Sequence, residues 1–133
     1  VSQFVIKSSR GRRELRLEER KGDYFRVTLS GDAISATKVV YAYTDGPLLA
    51  SFFASIAADW RGWNGERAWK ALEGDFSVRA TSDRLGHIRL DAELHSHDLD
   101  DNWSISAPVF LDGGSLDRIA AEWTFFSDVR ATA

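Results

Sequence analysis

The stretch DFSVRATSDRLGHIRLDAEL, Asp75 to Leu94, decides the fold. Phe76, Val78 and Ala80 alternate with Asp75, Ser77, Arg79 and Thr81. After a break, Ile88, Leu90, Ala92 and Leu94 alternate with His87, Arg89, Asp91 and Glu93. A period of two marks a strand with one apolar and one polar face. The break, Ser82-Asp83-Arg84-Leu85-Gly86, is rich in turn formers and short enough for a hairpin, so the two strands pair antiparallel.

The same alternation recurs on either side. Phe4 and Ile6, Leu15 and Leu17, then Phe25, Val27 and Leu29 read as three strands, with turns at Lys21-Gly22-Asp23 and Ser30-Gly31-Asp32. A fourth strand is expected from about Ala33 to Tyr43. Thr44 or Asp45 then caps a helix with Pro47 in its first turn. Leu49, Phe52, Phe53, Ile56, Ala57 and Trp60 give that helix one apolar face, and Arg61-Gly62 ends it. The segment Trp60 to Gly74 reads as irregular or partly helical. Beyond Leu94, a polar loop from Ser96 to Asn102 precedes a strand through Trp103, Ile105, Ala107 and Val109. Ser115 caps a second helix carrying Leu116, Ile119, Ala120, Trp123 and Phe126. The order ββββ-α-βββ-α predicts a two-layer α+β domain over residues 1–133. Its antiparallel sheet would have about seven strands, two helices on one face and a charged, open second face.

Composition fits one core: the chain has 133 residues, 44% of them hydrophobic, with five Trp and eight Phe. A domain of this size buries enough surface to need no metal or disulfide. The absence of Cys excludes a thiolate metal centre, an iron–sulfur cluster and a cysteine nucleophile, and suits a reducing cytoplasm. No apolar run follows the basic start VSQFVIKSSRGRR, so no secretion signal is expected. The apolar stretch from Pro47 to Ala58 is too short to span a bilayer. The net charge of −3 divides unevenly. Residues 1–45 carry nine basic and six acidic groups (+3), and residues 46–133 carry eight and fourteen (−6). The acidic remainder argues against nucleic acid and for a basic partner.

Several side-chain groups are candidates for chemistry. Trp63 and Trp69 with Arg61 suit an interface hot spot or a stacking platform, or else lid the core. Glu66, Glu73 and Asp75 form a carboxylate group. They would serve in acid/base work only at defined separations, and otherwise pair with Arg61, Arg67 or Arg79. His95 and His97 fall on one strand face and are weak candidates for a metal, beside the plainer reading of a polar hairpin. A hydrolase using Glu73 or Asp75 near His87 is a third, weaker reading. Gly113-Gly114-Ser115 reads as a helix cap, since no basic side chain follows before Arg118. No G-x-S-x-G turn, P-loop or dinucleotide fingerprint is present.

Trp60-Arg61-Gly62-Trp63, Gly65-Glu66, Trp69, Leu72-Glu73-Gly74-Asp75, Asp83 and Gly86-His87-Ile88 follow in a tight order. This order resembles a bacterial family of small domains of unknown function with a pattern close to WRGW-x-GE…W…LEGD…D…GH[IV]-x-L. The resemblance runs from about Gly22 to Phe126. It departs at Ser82, where the family pattern often has His, so a site needing that His would be missing here. The resemblance implies no defined activity; small bacterial domains of this kind are often immunity-type or other interaction proteins.

Together these readings predict a non-enzymatic bacterial protein-binding domain, cytoplasmic and without a cofactor, as monomer or homodimer. It would be an immunity protein neutralising a cognate toxin. Its partner surface would comprise Asp98, Asp100 and Asp101, with Glu66, Glu73 and Asp75, beside Trp63, Trp69 and Arg61. The alternative is a small-ligand or carbohydrate-binding module using exposed Trp residues.

Overall fold

The computed structural model of the chain describes residues 3–41 and 45–127. Strands β1 (Gln3–Lys7), β2 (Glu14–Lys21), β3 (Tyr24–Gly31) and β4 (Ile34–Tyr41) form one antiparallel sheet in chain order. Helix α1 (Asp45–Ala58) leads to a second antiparallel sheet of β5 (Arg67–Lys70), β6 (Phe76–Ser82), β7 (His87–Asp98) and β8 (Asp101–Asp112). A short 3₁₀ turn, Gly113–Ser115, then enters helix α2 (Leu116–Ser127).

The α+β class is as expected, but the single sheet of seven strands is corrected to two sheets of four. The eighth strand, β5, lies in the stretch read as irregular. At four residues it offers one alternation only, with Trp69 inward and Ala68 and Lys70 outward, too little for a periodic signal. Between the sheets, the edge strands β1 and β8 meet just past the end of β1. There Ser9 N–H donates to Phe110 O (2.8 Å) and Phe110 N–H to Ser8 Oγ (3.0 Å). The Arg13 guanidinium reinforces this seam, reaching Asp32 O at 3.2 Å and Pro108 O at 3.5 Å.

Register places the apolar residues of neighbouring strands on one face. Leu15 lies opposite Leu29, Leu17 opposite Val27, Val78 opposite Ala92 and Leu90 opposite Val109, all buried in one cluster. The helices pack on each other, α1 also on β5 and α2 on β1. Phe4, Phe53 and Trp123 close the junction with ring centroids 5.3–5.8 Å apart. Each such ring contributes on the order of 2–3 kcal/mol by leaving water.

Two boundaries differ from expectation. Helix α1 stops at Ala58, so Trp60 lies beyond it, 45% exposed, and does not complete the helix face. Ser115 Oγ donates to Asp112 O (2.8 Å) and so braces the 3₁₀ turn. The capping expected of Thr44 or Asp45, and the side chain of Phe126, lie outside the described residues. Among the described residues no helix is long and apolar enough to cross a membrane.

Candidate functional site

Trp69 is 8% exposed and packs edge-on against Phe76 (centroids 5.7 Å), so it belongs to the core and not to a partner surface. Trp63 is partly buried against that core, its indole Nε1 enclosed without a hydrogen-bond partner. The Arg67 guanidinium covers its ring at 4.9 Å and is itself held by Ser55 O (2.8 Å) and Asp59. Trp63 is therefore a lid, and a sugar platform built on Trp63 and Trp69 has no pair of open ring faces. Arg61 lies over the ring of Trp60, at 4.9 Å.

The carboxylates do not form one group. Glu66 stands exposed before β5, while Glu73 and Asp75 lie in the turn after it, at the other end of the sheet. Asp75 is buried, 4% exposed, which removes it from the partner surface. Its partner comes from the first sheet. Lys38 lies opposite Val27 on the core-facing side of β4, and its Nζ is 4.0 Å from Asp75 Oδ2. Asp75 Oδ1 is buried with no hydrogen-bond partner. Burial pushes the Asp75 carboxyl above its ordinary pKa, and its own backbone N–H and Lys38 pull the other way. The sequence signal for Lys38 was available, since Ile34, Ala36, Lys38 and Val40 share one side of a period-two strand.

The segment read as a polar loop from Ser96 to Asn102 is hairpin: β7 and β8 continue in register to Asp98 opposite Asp101. The turn is Leu99-Asp100, with Asp100 N–H donating to Asp98 Oδ1 (3.2 Å). Asp98, Asp100 and Asp101 are exposed, and between them Leu99 is 97% exposed. His97 Nε2 lies 3.4 Å from Gly74 O, which brings the turn bearing Glu73 and the exposed Leu72 beside the hairpin. The rings of His95 and His97 stack with centroids 4.0 Å apart. Among the described residues no three His, Asp or Glu side chains converge to hold a metal. What this end of the second sheet offers is an apolar apex rimmed by carboxylates.

His87 lies at the opposite end of β7. Eight steps of about 3.3 Å separate it from His95, the residue whose N–H bonds Asp75 O. A catalytic pairing of Asp75 with His87 is thereby excluded on distance. The partner of His87 is Asp83, a pairing that sequence reasoning missed. Asp83 Oδ2 lies 2.8 Å from His87 Nδ1, and Oδ1 accepts the N–H groups of Leu85 (2.8 Å) and His87 (2.9 Å). These bonds, that from the His87 backbone foremost, hold the Asp83 carboxyl below its ordinary pKa. The signal was the i, i+4 spacing of an Asp and a His across a hairpin turn.

The chain belongs to a family of unknown function (DUF6228), whose sequence profile matches residues 6–129 and so includes both ends of β7. No curated protein and no solved structure matches it.

Proposed function

We propose that this is a non-catalytic protein-binding domain that docks a basic partner with the acidic end of its second sheet. The observation that carries the reading is the β7–β8 apex, a fully exposed Leu99 between Asp98 and Asp100-Asp101. Leu99 supplies an apolar anchor for a partner pocket, and the carboxylates around it, with Glu73 alongside, steer a cationic surface to it. A tight two-residue turn has little freedom to lose on docking, which favours affinity. An immunity-type role, in which the domain covers the working surface of a basic toxin, is the form of this reading that the sequence resemblance suggests. It fits a bacterial, cytoplasmic setting without a cofactor.

The test is affinity capture from lysate of the source organism with the parent protein, Leu99→Ser and the triple variant Asp98→Asn, Asp100→Asn, Asp101→Asn. One basic polypeptide held by the parent, lost by both variants and released by raised salt is the expected result. Retention of the same polypeptide by the triple variant sinks the proposal.

A further inference from the structure

Around the β6–β7 hairpin three adjoining depressions share lining residues and make up a cleft remote from the acidic apex. Its largest lobe, about 510 Å³, is walled by Arg10, Asp83, His87, Arg89, Phe110 and Asp112, among others. A second lobe of about 450 Å³ runs past Trp60, Arg61 and Arg84 to Gly113 and Gly114, where the chain turns into α2. A third, also about 450 Å³, joins Arg61 and Arg84 to Asp83 beside Trp63. The acidic apex begins at Asp98, eleven steps along β7 from His87 and about 36 Å away.

The cleft is lined by several guanidinium groups, most of them without an ion-pair partner. Among the described residues Arg10, Arg61 and Arg84 have no ion-pair partner, whereas Arg89 is paired with Asp91 at 3.1 Å. The Arg10 guanidinium lies over Phe110 at 4.5 Å and that of Arg61 over Trp60 at 4.9 Å. Stacking fixes the plane of each guanidinium and leaves its N–H edge to a ligand. Asp83 occupies His87 Nδ1, so the ring's other nitrogen, Nε2, remains for an incoming group. Of the two carboxylates on the walls, Asp83 is committed to His87 and to backbone N–H groups, which leaves Asp112 against three guanidinium groups.

The start of α2 adds to this. In sequence Gly113-Gly114 has no basic neighbour before Arg118, but the fold brings Arg61, Arg84 and His87 to it from two other segments. Gly113 N–H is spent on Gly86 O (2.8 Å), so the guanidinium forks of Arg61 and Arg84 are what this end of the cleft offers a tetrahedral oxyanion. A lone carboxylate is satisfied by one fork; Arg61 and Arg84, which together line two adjoining lobes, suit the higher charge of a phosphate. The half-exposed Trp60 ring adjoins them as a surface for the rest of the ligand.

We propose that this cleft binds a small phosphorylated ligand, its phosphate held by Arg61 and Arg84 at the entry to α2, with Arg10 and His87 on the adjoining wall. The test is an amide-resolved NMR titration with inorganic phosphate and with glycerol 3-phosphate, at constant ionic strength set by chloride. Saturable shifts are expected at Arg84, Gly86, His87 and Gly114, with glycerol 3-phosphate binding tighter. Arg61→Gln and Arg84→Gln should each weaken binding about tenfold or more, the scale of one charge-assisted hydrogen bond. Arg118→Gln, on the exposed surface of α2, should leave it unchanged. Both cleft arginines are exposed, so the same spectra verify that the variants are folded. Shifts that never saturate, saturation indifferent to both cleft variants, or acetate or an Asp-rich peptide binding as tightly as phosphate would each overturn the assignment.

Discussion

Lys38 Nζ, on the core-facing side of the first sheet, lies 4.0 Å from Oδ2 of Asp75, the residue that leads into β6 of the second, and this pair ties the two sheets together. The carboxylate is almost wholly buried and one of its oxygens has no partner. The lysine side chain is 27% exposed and so keeps contact with water. Desolvation therefore falls mainly on Asp75, which is why its carboxyl pKa is raised and not lowered by its cationic neighbour.

The sign of the resulting pH dependence follows. A carboxyl whose folded pKa lies above its ordinary value, 3.8, contributes stability in its protonated form. That contribution is complete below the ordinary value and is lost as pH rises through the raised one. Asp75→Asn keeps the shape without the charge. Its melting temperature relative to the parent should therefore climb between about pH 3 and pH 7. Scans at several pH values check this, and a difference that falls over that range would contradict the burial argument.

Removing the other partner has the opposite consequence. Lys38→Met leaves a buried carboxylate without its cation. For fully enclosed pairs that costs about 3–5 kcal/mol. Because Lys38 is partly wet and the separation is long, about 1–2 kcal/mol is expected here. Urea unfolding at neutral pH measures it, and the loss should shrink in acid as Asp75 protonates.

What the sequence made legible was what repeats. Leu15 and Leu17, Phe76, Val78 and Ala80, and Ile88, Leu90, Ala92 and Leu94 each follow a period of two, and every one of these apolar residues is buried where the alternation places it. What it concealed depends on contacts distant in the chain. Trp69 looks like a surface aromatic until β5 is paired with β6, and Asp75 looks like surface charge until Lys38 arrives from the other sheet. The carboxylates Glu66 and Glu73 are close in sequence but sit at opposite ends of a strand. Asp98, Asp100 and Asp101 are exposed, but Asp98 and Asp101 are paired strand residues, so the hairpin that carries them is longer than their polarity suggested.

The β3–β4 turn yields a prediction about strain. Gly31 pairs with Ile34, so the turn is Asp32-Ala33, both with positive φ (53° and 72°), as a type I′ hairpin needs. Gly31 itself is fixed as glycine, because a Cβ there would lie 2.1 Å from Arg12 O. Ala33 therefore bears a left-handed conformation that costs about 1–2 kcal/mol in an L-residue. Ala33→Gly recovers that, less the entropy of the freer unfolded chain. A net stabilisation of about 0.5–1 kcal/mol should appear in chemical denaturation, and a loss would show that the turn is of another type.

Gly113 predicts the reverse. A Cβ there would meet Trp60 O at 2.2 Å, and its N–H donates to Gly86 O at 2.8 Å. Three segments, the loop after α1, the β6–β7 hairpin and the entry to α2, thus approach backbone to backbone at one point. Gly113→Ala must push them apart, at a cost of about 1–3 kcal/mol as for other overpacked sites. The amide resonances of Trp60 and Gly86 should move together in the variant. Unchanged resonances at both would mean that the three segments are not in contact.

Asp83 offers the most direct probe of the cleft. Its carboxylate accepts two backbone N–H groups and the ring N–H of His87, so it closes the hairpin turn and sets the tautomer. The lowered pKa means that the stability it contributes is complete above 3.8 and is lost as pH falls through the lowered value. Asp83→Asn should therefore melt below the parent at neutral pH, and the gap should close in strong acid. The ring gives a second readout. Nitrogen-detected NMR of the parent in alkaline buffer should find the His87 proton on Nδ1. In the Asn variant the amide NH₂ can donate to Nδ1, which moves that proton to Nε2. A parent ring already protonated on Nε2 would show that Asp83 does not orient His87.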